Sequence, residues 1–120
     1  MSSDSSLSEQ VKTNLSHYNL WTDVQEHPIK DLSLKILSGI PPSKLDSNDI
    51  ENQREWIIPK PMSHKANLTL KEINSWFVSI SDLVESNNSR PKRVTIGLVN
   101  DDGTVVYYFI HDGVVKPRQN

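Results

Sequence analysis

The stretch DDGTVVYYFIHDG, residues 101–113, sets eight strand-forming residues, Thr104 to His111, between two Asp-Gly turn signals. Alternation divides that strand into one face of Val105, Tyr107, Phe109 and His111 and another of Thr104, Val106, Tyr108 and Ile110. A strand with one face in water carries polar residues at every second position. This one is apolar on both faces except at its ends. The pattern leaves two readings open. The strand is central and covered by helices on both sides, or it offers a surface to a partner. Monomeric domains rarely leave a large apolar patch open, and aromatic residues are enriched at interfaces.

Working outward, Arg93 to Val99 reads as the preceding strand, and Asn100-Asp101-Asp102-Gly103 joins the two as a hairpin. Before the hairpin, Thr69-Leu70-Lys71-Glu72 is a capping-box sequence. Behind it Leu70, Ile73, Phe77, Ile80 and Val84 form one apolar stripe, widened by Trp76 and Leu83, and Asn87-Asn88-Ser89 with Pro91 ends the helix. Near the N-terminus, Leu7, Val11, Leu15 and Tyr18 share one helical face, predicting a helix from Leu7 to about Trp21 with Ser6 as its N-cap. His27-Pro28 reads as a break. Leu32 to Ile36 alternates as a half-buried strand, and Pro41-Pro42 ends it. Residues 43–53 are polar and acidic and read as a surface loop. Glu55 to Ile58 reads as a short strand stopped by Pro59 and Pro61, and Val114-Val115 as the start of another. The order predicts an α/β domain of the mixed α+β type, with helices packed on a mixed sheet and a C-terminal β-hairpin. It spans residues 7–116, between a disordered tail at 1–6 and a polar tail at 117–120.

A chain of 120 residues suits one domain, and the lack of cysteine excludes disulfides and thiolate metal sites. A net charge of -2 lacks the basic excess of a self-sufficient nucleic-acid binder, so if the chain works on nucleic acid, most phosphate contacts would fall to other subunits. No apolar run is long enough to span a membrane, so no membrane insertion is expected. MSSDSSLSEQ has no basic n-region and reads as no secretory signal. His17, His27, His64 and His111 stand at no metal-binding spacing, and neither metal nor cofactor is expected. His111-Asp112 has no nucleophile-elbow serine to serve. Judged alone, Asp101 and Asp102 are a solvated hairpin tip, and Lys60, Lys65, Lys92 and Arg93 are scattered surface cations. No catalytic constellation emerges.

The segment VTIGLVNDDGTVVYYFIHDGVVKPRQN, residues 94–120, resembles the C-terminus of the small non-catalytic subunit of the eukaryotic tRNA-splicing endonuclease. Strand, acidic turn, TVVYY, HDG and KPRQN carry the likeness. The helix leading to Trp21, the strand Leu32 to Leu37, the segment WIIPKP and the Thr69-capped helix follow the same order. The resemblance implies the small α/β fold shared by those subunits and a place in a heterotetramer of catalytic and structural subunits. Such a complex cuts precursor tRNA at the 5′ and 3′ splice sites, leaving 2′,3′-cyclic phosphate and 5′-hydroxyl ends.

The resemblance also implies partners. The small subunit pairs with the catalytic subunit that cuts the 3′ splice site, alongside the other structural and catalytic subunits, and meets precursor tRNA through the complex. Family members associate through their last long strands, which places Thr104, Val105, Val106, Tyr107, Tyr108, Phe109, Ile110 and His111 at a subunit interface. An acidic loop before that strand docks in a basic groove of another subunit, which assigns Asp101 and Asp102 to docking. Catalytic members use Tyr, His and Lys as base, acid and phosphate cation. This chain lacks the Gly- and Phe-containing segment that carries the Tyr and has no His at the matching place after it. Lys92 lies near the position of the Lys, so no catalytic residue is expected. The family resides in the nucleus or, alternatively, on the cytoplasmic face of the mitochondrial outer membrane. An isolated chain could pair with itself about a two-fold axis. A free-standing hydrolase and an interaction adaptor unrelated to RNA are the competing readings.

Overall fold

The computed structural model of the chain describes residues 3–29, 34–43, 45, 53–63, 68–83, 91 and 93–111. Its elements run in the order α1 (Ser3–Thr13), a π-helical turn (Asn14–Tyr18), β1 (Thr22–Ile29), β2 (Leu34–Ile40), β3 (Glu55–Pro61), α2 (Leu70–Leu83), β4 (Arg93–Val99) and β5 (Val105–His111). The strands form one sheet in chain order, β1-β2-β3-β4-β5. All neighbours are antiparallel except β3 and β4, which run parallel because the chain returns between them through α2. The α/β class, the mixed sheet and the C-terminal hairpin are those expected.

Adjacent residues on each strand go to two different cores, one on each side of the sheet. Ile36, Trp56, Ile58, Val94, Ile96 and Leu98 pack with Trp76, Phe77 and Ile80 of α2. Their strand neighbours Leu37, Ile57 and Val99 pack with Val11 and Leu15 of α1. A sheet sandwiched between helices needs apolar residues on both faces. That requirement accounts for β4, all seven of whose residues are buried. At one end of β4, Arg93 lies beside Glu55 of β3, and their side chains pair at 2.7 Å with only 2% and 4% of their surfaces exposed.

The capped helix forms as its sequence predicts. The Thr69 hydroxyl accepts a hydrogen bond from the Glu72 amide at 3.1 Å. The Glu72 carboxylate reaches Lys60 of β3 at 2.7 Å, so one end of α2 is tied to the sheet. The predicted N-terminal helix differs at both ends. It begins at Ser3, which puts the expected cap Ser6 inside it, and at Asn14 it widens into a π-turn. One extra residue in the turn changes the helical phase of the residues beyond it. Leu15 stays buried, while Tyr18, expected on the core face, is 77% exposed.

Two proline expectations are corrected. His27-Pro28 does not break the chain; both residues lie in β1, where among the described residues Pro28 pairs only with Lys35 of β2. An edge strand tolerates a missing N–H on its open side. Pro59 does not stop β3, which continues past Ile58 and ends at Pro61. Pairing with β2 reaches only Ile57, and the two prolines sit at alternate positions beyond it, still in register with Gly97 and Val99 of β4. The strand predicted at 32–36 is β2, displaced to Leu34–Ile40. His64, Lys65, Val84, Asn87 to Ser89, Lys92, Asp112-Gly113, Val114-Val115, residues 46–52 and residues 117–120 lie outside the described residues.

Candidate functional site

Strand β5 closes one side of the sheet. It pairs with β4 without interruption at seven positions, from Val99↔Val105 to Arg93↔His111. Among the described residues no strand lies on its other side. Among the described residues β5 is therefore an edge and not a central strand. Helices do cover both sheet faces, as one reading of its pattern required, but they cover β5 only in part. Val105 and Tyr107 pack against the α1 core and Ile110 against the α2 core. The rest is open: Phe109 is 51% exposed, Tyr108 41% and Val106 37%, and His111 is exposed. Apolar surface thus emerges on both faces of one strand.

Tyr107 differs from its neighbours. Its phenol donates a 2.7 Å hydrogen bond to Asn14 Oδ1 in the π-turn. Burial pushes the Tyr107 hydroxyl far above the ordinary tyrosine range, because the charged phenolate would lose its water. Tyr107 anchors β5 to its own domain, and the open positions are those on either side of it.

The turn before β5 is built by Gly103, which adopts φ +92, and by Asp102. The Asp102 carboxylate accepts the Thr104 amide at 3.1 Å and the Thr104 hydroxyl at 2.8 Å. Those bonds, the amide first, hold its carboxyl below the usual range. Thr104 precedes β5 and is exposed. Asp101 is exposed and has no partner among the described residues, so one carboxylate shapes the turn and the other faces solvent.

The opposite edge is built differently. β1 carries Pro28, a register shift between Thr22 and Gln25, and Asp23 at φ 52. Arg54 clamps it by donating to the Asp23 carboxylate, to the Asp23 carbonyl at 3.1 Å and to the Ser38 hydroxyl at 2.8 Å. Hydrogen bonds from Gln25 and then Arg54 hold the Asp23 carboxyl low. The Ser38 hydroxyl also meets His27 Nε2 at 2.8 Å. Since Arg54 only donates, the Ser38 hydroxyl accepts from it and keeps its own proton available for His27 Nε2, the tautomer of the ring deciding which of the two donates. Burial, with the Arg54 charge second, pushes the His27 pKa down. Proline, bulge and charged clamp are the devices that keep a strand edge from pairing. β1 has all of them and β5 none.

The sequence reading missed this clamp, and it missed the π-turn. Asn14, Asn19 and Tyr107 meet only in three dimensions. His27-Pro28 was a visible signal, since proline in an otherwise extended segment marks an edge strand as well as a break.

Comparison with known proteins adds a separate finding. The model of the family described as "Sen15 protein" matches residues 10–120. The tRNA-splicing endonuclease subunit SEN15 of Eremothecium gossypii is 34% identical over 116 residues, covering 95% of this chain and 91% of that protein. The probable tRNA-splicing endonuclease subunit tsp-1 of Neurospora crassa is 30% identical over 148 residues, covering 95% of this chain and 66% of that one. The probable subunit sen15 of Schizosaccharomyces pombe is 26% identical over 121 residues, covering 92% and 80%.

Proposed function

This chain belongs to the Sen15 protein family, and on that premise we propose that it is a non-catalytic subunit of a heterotetrameric tRNA-splicing endonuclease, joined to its neighbour through β5. One observation carries the structural half of the reading: the unguarded edge of β5, with Val106 and Tyr108 exposed on one face and Phe109 on the other. A strand added there would satisfy the open backbone groups and cover the side chains of both faces at once. The neighbour we assign is the catalytic subunit that cuts the 3′ splice site. The exposed Asp101 sets register against a basic groove of another subunit.

The complex cleaves precursor tRNA by in-line attack of a ribose 2′-hydroxyl, which requires a base, an acid and a cation. The sequence supplies no Tyr, His and Lys in the pattern of the catalytic members. This subunit's contribution is to hold that machinery in place. The net charge of -2 agrees, since a chain that contributes shape need not bind phosphate itself. We place the assembly in the nucleus on the family resemblance alone. Deprived of its neighbour, β5 pairs with β5 of a second copy.

Purification of the tagged chain from its own cells at moderate salt tests the role. Three further subunits in equal amounts, with precursor-tRNA cleavage in the eluate, is the expected result. A chain recovered alone, with no cleavage in the eluate, overturns it.

A further inference from the structure

Between α1 and the β4–β5 turn lies a cleft of about 370 Å³, lined by Glu9, Gln10, Thr13, Asn14, Tyr18 and Gly103. It is distinct from the β5 edge and lies beyond the tip of the hairpin's own pairing. The π-turn forms its rim. The Asn19 amide nitrogen closes that turn with a 3.1 Å bond to the Asn14 carbonyl, and the Asn19 side chain donates to Asn14 Oδ1 at 2.9 Å. The Tyr107 phenol holds the same oxygen. Three contacts on one asparagine fix a turn whose product is an outward-facing Tyr18 ring, 77% exposed. π-turns of this kind recur at functional positions.

Among the described residues, the charge lining the cleft is that of Glu9, which has no ion-pair partner among them. Asp101 and Asp102 stand on the turn that ends in Gly103, Asp101 with no partner among the described residues and Asp102 bonded to the uncharged Thr104. Among the described residues no Lys or Arg lines the cleft. That carboxylate of Glu9 disfavours phosphate, so the occupant we argue for is a cation rather than RNA. A cation with a planar face fits best, because it can lie on the exposed Tyr18 ring while facing the Glu9 carboxylate.

We propose that the cleft between α1 and the β4–β5 turn receives an arginine side chain from a partner protein, with Tyr18 as its platform and Glu9 as its counter-charge. The inference rests on the subunit reading for where that partner comes from, and deepens it by adding α1 to the docking surface. The acidic turn alone would give charge without a seat; α1 supplies the seat.

The test uses the isolated full chain, labelled with nitrogen-15, and an acetylated, amidated Gly-Arg-Gly peptide as the probe. Saturable shifts of the Thr13, Asn14 and Gly103 amides are expected. They should weaken with added salt and be lost when citrulline replaces arginine. Glu9→Gln should weaken binding roughly two- to fivefold, the size of an exposed charge pair, and Tyr18→Ala should weaken it further. No saturable shift, equal shifts with the citrulline peptide, or an affinity unchanged in Glu9→Gln overturns the proposal. So does an oligouridine that shifts the same amides. Co-purification of subunits reads the other claim independently, since Glu9→Gln leaves β5 untouched and the probe binds whether or not β5 has joined a neighbour.

Discussion

Tyr107 and Asn14 stand 93 residues apart in sequence and are joined by a 2.7 Å hydrogen bond. That bond ties the last strand to the turn that ends the first helix, and it separates the structural side of β5 from the open side. Asn14 Oδ1 keeps its bond from Asn19 if the phenol is removed, so no acceptor is left stranded. Tyr107→Phe should therefore cost only about 1 kcal/mol, seen as a fall of a few degrees in Tm. Alkaline pH supplies a second readout. The folded pKa of Tyr107 is raised, so its contribution is complete below the unfolded value near 10.0 and declines as pH rises above that. Tyr107→Phe should flatten this alkaline decline; an unchanged profile would show that the phenol is not buried in solution.

Gly97 faces the same junction. A Cβ there would lie 3.2 Å from the Tyr107 ring and 3.3 Å from a Val11 methyl. Both neighbours belong to the α1 core, and neither can withdraw freely. Gly97→Ala should destabilise by roughly 1–3 kcal/mol, the usual cost of overpacking. The urea midpoint measures it, and a midpoint at or above that of the parent chain would contradict the packing described.

The Arg93–Glu55 pair is buried to within 2% and 4% of closure. Arg93→Ala leaves a carboxylate without its cation in a dry site, at about 3–5 kcal/mol. Glu55→Met with Arg93→Met should recover most of that loss, since a buried ion pair contributes little net stability over apolar residues of like size. Guanidinium unfolding of the single and double variants decides between the two.

His27 gives the sheet an acid-sensitive edge. Its folded pKa is lowered, so its contribution is present above the unfolded value of 6.5 and is lost as pH falls through the lower folded value. Protonation sets a second cation beside Arg54 and leaves His27 Nε2 able only to donate to Ser38. Tm should fall on acidification below 6.5 in the parent chain, and less steeply in His27→Gln. Parallel profiles would place the sensitivity elsewhere.

Much of this fold was legible in the sequence because several elements are set by local chemistry. Strand β4 spans the residues its pattern predicts, Thr69 caps α2, and Gly103 turns the hairpin. The failures share one cause, which is that proline and helical phase take their meaning from neighbours. Pro28 is compatible with β1 only because β1 is an edge, and Pro59 and Pro61 with β3 only because β2 ends first. Tyr18 left the core face when one π-turn shifted the phase, and no spacing announces that shift. For the candidate site, the two-faced apolar pattern of residues 104–111 was visible at once. Which of those side chains serve the domain and which stay open was not. That division depends on where α1 ends above the sheet, so Val105 and Tyr107 are covered and Phe109 is not.

The central claim is that the open positions of β5 hold another subunit. Its most direct test is Tyr108→Glu with Phe109→Glu in the tagged chain, purified from its own cells beside the unaltered one. Exposed positions tolerate such changes within roughly 0.5 kcal/mol, so the isolated variant should keep its Tm. Charges on both faces of the edge should reduce the recovered subunits at least about tenfold, the effect of roughly 1.4 kcal/mol lost at the interface. Subunits retained in parental amounts by a folded variant would contradict the claim.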